Sequence, residues 1–205
     1  MSDTDLVLSK VAVTRFSHDL AGVMSAVSNS LDLLAEFGGA DEETLSLAAN
    51  SAEVLLARLR FFRAAFGSDG PLTDAGVTEQ LFADWLKSVE NRAAHFDCEW
   101  HVDNELPLFW FRVILLAGQI VAESMIRGGK ITVVAKAGER RVSITGTADA
   151  FKADSAPIDV LNGGDAAPTP KTAGAAFIRA VMTEQKLGFD TKRTDTSFSL
   201  SFTAR

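Results

Sequence analysis

Along the first third of the chain, apolar residues return at alternating spacings of three and four: Val13, Phe16, Leu20, Val23, Val27, Leu31 and Leu34. A stripe of that period marks an amphipathic helix with a narrow buried face. Leu45, Ala48, Ala52, Leu55, Leu59, Phe62 and Phe66 repeat the alternation, so residues 1–67 read as a helical hairpin. Between the two runs, Gly38 and Gly39 supply a helix stop, Asp41 an N-cap, and Glu42 and Glu43 a first turn whose acids suit the helix dipole. Two helices bury only one stripe against each other. Leu33, Val54, Leu56 and Phe61 are left over, which predicts a second hairpin from another copy of the chain and hence a homodimeric four-helix bundle.

Past Gly67 the pattern changes. Residues 68–76, "SDGPLTDAG", have linker composition, and residues 77–205 alternate helical and strand periods. The spacing predicts a helix over Thr78–Ala94, then a short strand on which Cys98, Trp100 and Val102 alternate. A buried helix follows from Pro107 to Met125, and Gly128 and Gly129 turn the chain into the strands "KITVVAKA" and "RRVSITG". Residues 148–172, rich in Ala, Asp, Gly and Pro, form a long irregular connection with at most a short helix. A helix over Gly174–Lys186 and a closing hairpin with Phe198, Leu200 and Phe202 on one face complete the chain. The fold class is α+β: a helical hairpin followed by an α/β sandwich.

Composition narrows the function. A hydrophobic content of 47% in 205 residues suffices for buried cores, and a formal net charge of −7 argues against a nucleic-acid partner, which needs clustered Lys and Arg. The single cysteine, Cys98, excludes an internal disulfide framework and a Cys-rich metal site, and reads as a packed thiol. The acidic start "MSDTDLVLSK" has no secretory pattern, and the longest apolar segment, broken by Arg112 and Gln119, falls short of the roughly 18 residues of a membrane span. The expectation is a cytoplasmic protein without membrane contact.

His18 is the residue that packing does not explain. With Phe16 and Leu20 in consecutive core positions, it points away from the seam, either as an ordinary solvated histidine or as a group on display. Ala21, Gly22 and Ser25 share its face, and a mid-helix glycine costs about 1 kcal/mol relative to alanine. Such a face lets another protein's backbone approach the imidazole. Arg15, one turn earlier, reads equally as a phosphoryl-binding cation or a solubilising arginine. In an antiparallel hairpin the level of His18 meets the end of the second helix, so Arg58 and Phe61 join Arg15, Gly22 and Ser25 as candidate partner contacts; Phe61 serves equally as packing for the dimer mate or the second domain. His95, at a helix end, and His101, outward on a strand, have no ligand cluster around them.

The run "HDLAGVMSAVSNSLDLL" resembles the phosphoacceptor helix of the ChpT-type bacterial histidine phosphotransferases and, more distantly, the dimerisation helix of sensor histidine kinases. "LRFFRAAFG", "RVILLAGQIVAESMIRGGKITVVAK" and "GAAFIRAVMTEQKLGFDTKRTDTSFSLSF" resemble later parts of the same family, so the likeness covers almost the whole chain. Val23 and Ser30 depart from it where the family often has proline and glycine. The resemblance implies that the second half is a degenerate kinase ATP-binding domain. The helix 112–125 has no asparagine to hold magnesium, "SITGTADAF" lacks the glycine spacing of the adenine-reading motif despite Asp149, and Gly163, Gly164 and Gly174 only loosely echo a nucleotide lid.

What the resemblance implies for function is a phosphorelay intermediate. His18 accepts a phosphoryl group from the aspartate of a hybrid kinase's receiver domain and passes it to a response regulator, with Asp19 orienting the imidazole. The chain itself needs no cofactor; the receiver brings Mg²⁺. Gly22 stands where phosphatase-type kinases carry Asn or Thr, which speaks against an intrinsic phosphatase. Two alternatives stay open: a non-catalytic adaptor or inhibitor that binds a kinase or regulator with His18 inert, and an ATP-dependent histidine kinase, which the missing asparagine opposes.

Overall fold

Two long helices, α1 (Asp3–Glu36) and α2 (Glu42–Phe66), pair at the start of the chain in the computed structural model, which describes residues 3–36, 42–67 and 72–204. Glu42 and Glu43 occupy the first turn of α2 as expected, whereas Gly38, Gly39 and Asp41 lie outside the described residues. The two stripes are only partly inside. Phe16, Leu20, Val23, Val27 and Leu34 are buried or half-buried, but Val13 and Leu31 of α1 and Leu45 and Leu59 of α2 are exposed. At about 100° per residue, Leu6, Val13, Met24 and Leu31 fall on one line of α1 beside the α2 contact. Leu33 and Leu56 are exposed as well, so the hairpin carries an apolar seam that its own chain leaves uncovered.

The third helix starts inside the stretch read as linker. Asp74 caps α3 (Ala75–Val89) by accepting the Val77 N–H at 2.9 Å, and its first residue, Ala75, is buried. The helix also stops short of Ala94. Glu90 turns extended and its carboxylate accepts the Phe96 N–H at 2.8 Å, which directs the chain into β1 (His95–Val102). From there α4 (Leu108–Ser124) crosses back to β2 (Gly128–Lys136), which lies parallel to β1. Next come β3 (Arg141–Thr147), the short α5 (Ala156–Leu161), α6 (Ala173–Gln185), β4 (Leu187–Arg193) and β5 (Ser197–Ala204). The sheet order is β1-β2-β3-β5-β4, antiparallel beyond the first pair.

Strand alternation explains which face is covered. Ile131, Val133, Ile144, Val142, Leu200, Phe198 and Phe202 all point to the side on which α4 packs, and the paired registers Val133↔Ile144↔Leu200 and Ala135↔Val142↔Phe202 align them in rows. The opposite face carries Thr132, Ser143, Thr145 and Ser199, the polar-out pattern of a one-sided antiparallel sheet. Helix α4 is buried on nearly all sides because it lies between the sheet and the other helices. Gly118 permits this: a Cβ there would stand 2.6 Å from the Phe82 ring of α3.

An aromatic ladder joins the hairpin to the α/β half. Phe16 meets Phe62 edge-on at 5.7 Å, Phe61 stacks on Trp85 of α3 at 4.8 Å, and Phe66 meets Phe177 of α6 at 5.4 Å. Phe61 is fully buried. It is therefore no exposed docking anchor: the packing alternative holds, against the second half rather than a dimer mate, because α3 folds back over the end of α2. Phe61→Ala should lower unfolding stability by about 3–5 kcal/mol, the usual cost of emptying a phenylalanine site, measured by urea denaturation; a loss under about 1 kcal/mol would contradict this placement.

Candidate functional site

His18 lies on the side of α1 turned from the apolar seam, and its side chain is 85% exposed. It borders a cleft of about 710 Å³ between α1 and the α/β half, lined also by Glu123 of α4, by Lys152 and by Lys171 of the short 3-10 turn Pro170–Thr172. The imidazole is not isolated. Its Nδ1 is 3.2 Å from Asp19 Oδ1, and the other carboxylate oxygen of Asp19 accepts from Arg15 Nε at 2.5 Å. The second arm of Arg15, through Nη2, is paired with Glu123 Oε1, which also accepts from Gln119 Nε2 at 2.9 Å.

A second arginine ties the backbone below this cluster. Arg58 Nη1 donates to the Asp19 carbonyl at 3.1 Å and Nη2 to the Ser88 carbonyl at 2.8 Å, so one guanidinium spans α1, α2 and α3. The two arginines differ electrostatically. Burial opposes the Arg15 charge, yet the Glu123 and Asp19 carboxylates outweigh it and hold its pKa above the ordinary value. For Arg58 burial prevails over the attraction of Asp19, and its pKa is lowered.

The local chemistry follows from the tautomer. When Nδ1 carries the proton and donates it to Asp19, Nε2 keeps its lone pair and faces solvent. An exposed, oriented Nε2 is a nucleophile, and a carboxylate on the far ring nitrogen favours the positive ring that attack creates.

The expected partner contacts separate into two groups. Gly22 is open, with nothing within 4 Å of a would-be Cβ, and Ser25 is exposed with its hydroxyl returned to the Ala21 carbonyl at 3.0 Å. Arg15 and Arg58 are engaged inside the molecule instead of reaching outward, and Phe61 is buried. The reason is common to all three: the α/β half covers the level of the hairpin where a partner had been expected to reach them. His95 and His101 are exposed on β1, the former at a strand start and not a helix end. Cys98 is also on that edge strand and exposed, not packed; partial burial, then Glu79 and Glu99, push its pKa up to about 11. No group of His, Cys, Asp and Glu among the described residues could hold a metal ion. Sequence reading missed Glu123, Gln119, Lys152 and Lys171. Glu123 is 108 positions from Arg15, and no local pattern signals such a pairing.

Comparison with known proteins adds three findings. A family model described as the histidine phosphotransferase C-terminal domain matches residues 79–197. The protein phosphotransferase ChpT of Brucella abortus (strain 2308) is 36% identical over 86 residues, 40% of this chain and 41% of that protein, so the match spans less than half of that relative. A solved structure of a bacterial phosphotransferase superposes with a TM-score of 0.79 at 22% identity, covering 98% of this chain and 97% of that one.

Arg58→Met should keep the aliphatic packing but strand the Asp19 and Ser88 carbonyls. The expected cost is about 2 kcal/mol, as for hydrogen bonds to a charged group, with faster amide hydrogen exchange around Asp19 and Ser88; unchanged exchange at both would show that the bridge does not brace the site.

Proposed function

Because this chain belongs to the histidine phosphotransferase family through its C-terminal domain, we propose that it is a phosphotransferase of a two-component phosphorelay with His18 as phosphoacceptor. The observation that carries the reading is the exposed imidazole whose Nδ1 lies against Asp19 while Nε2 is free. In the forward step the Nε2 lone pair attacks the phosphorus of a receiver's aspartyl phosphate. The bond from phosphorus to the carboxylate oxygen breaks, and the aspartate leaves as its carboxylate. The ring, now carrying the phosphoryl group on Nε2 and its proton on Nδ1, is positively charged and stabilised by Asp19. A second receiver's aspartate then attacks the same phosphorus and Nε2 leaves as neutral imidazole. Mg²⁺ sits in the receiver's acidic pocket in this scheme.

Supporting features concern docking and assembly. Gly22 and Ser25 give a low, open surface beside His18 on which a receiver can settle closely. This reading uses no ATP, and it is supported by the lack of an asparagine in α4, the helix that by resemblance would carry a kinase's magnesium-binding asparagine. The uncovered seam of Leu6, Val13, Met24 and Leu31, with Leu45, Leu56 and Leu59 across the hairpin, fits a homodimer. Burying each of these half-exposed side chains contributes about 1 kcal/mol at ~25 cal/mol per Å², and the seam lies away from His18, so dimerisation and receiver docking do not compete. No helix among the described residues is long and apolar enough to cross a membrane. The proposed relay is set in the bacterial cytoplasm, with a hybrid kinase's receiver and response regulators as partners.

Incubation with a phosphorylated receiver domain should place acid-labile, base-stable phosphate on the protein, and His18→Gln should abolish it while receiver binding persists. Binding without any transfer by the unaltered protein would support a non-catalytic adaptor instead. In the assembly test, Met24→Glu with Leu31→Glu should convert the dimer to a folded monomer in sedimentation velocity; a species of unchanged mass would remove the seam from the interface.

A further inference from the structure

The geometry points to Glu123 as a positioning residue for the His18 imidazole, acting from the α/β half through Arg15 and Asp19; this rests on His18 being the reacting group. The side chains form one chain of contacts: Gln119 Nε2 to Glu123 Oε1 at 2.9 Å, Glu123 to Arg15 Nη2, Arg15 Nε to Asp19 Oδ2 at 2.5 Å, and Asp19 Oδ1 to His18 Nδ1 at 3.2 Å. Neighbouring helical side chains diverge by about 100°, so the last contact holds only while the Asp19 carboxylate is turned toward the ring. Arg15 sets that turn by occupying Oδ2 and leaving Oδ1 for the imidazole.

Arginine is a planar fork that prefers to close on a carboxylate with two parallel hydrogen bonds. Were both its arms available, Arg15 would compete with His18 for Oδ1. Glu123 takes Nη2 and leaves Asp19 only Nε. Gln119, 5% exposed, fixes Glu123 in turn from within α4. The charge count matters as well. Arg15 and Arg58 balance Asp19 and Glu123 in number, so what meets the ring when phosphorylation turns it positive is the nearest carboxylate, Asp19. Arg15 and Asp19 side chains are 17% and 19% exposed and that of Glu123 38%, so water screens the Arg15–Asp19 pair less than it would a surface ion pair.

A plain interdomain salt bridge would hold α1 to α4 without altering the ring. The two roles separate in full-length protein with ¹⁵N-labelled histidine, the His18 signals being assigned with His18→Gln. Glu123→Gln should reduce the Nδ1–H tautomer of His18 and slow the maximal single-turnover transfer from a phosphorylated receiver on the order of tenfold, as for outer partners of histidine ligands. The half-saturating receiver concentration should stay the same. In an Arg15→Ala background Glu123→Gln should slow transfer no further, because both act through one chain. Gln119→Met should shift the tautomer the same way, which preserves the test should Glu123→Gln unfold. Unaltered tautomer balance in the folded variants, or slowing that multiplies with that of Arg15→Ala, overturns the inference. Failure of the unaltered protein to take phosphate overturns the functional reading alone, since the tautomer is read without a receiver.

Discussion

The aromatic junction at the end of α2 is the constraint from which the rest of the site follows. Phe61 against Trp85, Phe62 against Phe16 and Phe66 against Phe177 bring α1, α3 and α6 to one helix end. Burial of aromatic side chains outweighs any polar contact nearby: a phenylalanine site is worth about 3–5 kcal/mol, against roughly 1.5–3 for a hydrogen bond to a charged group. The polar bridges are therefore placed by the junction and do not create it. With the hairpin set at this angle, Arg58 reaches Ser88 and Arg15 reaches Glu123.

That docking divides the hairpin into faces of different chemistry. One line of α1 holds the exposed Leu6, Val13, Met24 and Leu31, whose chemistry calls for an apolar partner. The other holds His18, Gly22 and Ser25, small or polar and open. Between them runs the α2 contact. A histidine on the apolar line would sit among exposed leucines that favour an apolar cover, and one facing α2 would be buried, so its place on the third face keeps it reachable.

The α/β half looks like scaffold in its core and like part of the site at its edge. Its rows of Val, Ile, Leu and Phe under α4 explain stability without reference to His18. Glu123 and Gln119, at the end of the same buried helix, explain nothing about the core; their contacts lead to Arg15 and Asp19. Lys152 and Lys171 add positive charge to the cleft lining.

Much of this was legible in the residues themselves. Periodicity of three and four identified α1 and α2, alternation identified β2, β3 and β5, and His18 stood out because the helical repeat turns it from the core. These are local properties, decided by neighbours within a few positions. The places where reading failed are non-local. Phe61 lay off the stripe that pairs the two helices, and only the return of α3 over the end of α2 made its position a core. The start of α3 was masked by turn-forming residues, although Asp74 is the cap that begins it. Arg15, legible as a cation that suits a phosphoryl group or solvent equally, pairs instead with Asp19 one turn on and with Glu123, 108 positions away. The chain alone determined which side chains stand on the polar and apolar faces of each helix. Tertiary packing decided which of them meet, because ion pairs and buried faces depend on distances that close only when separate elements fold onto one another.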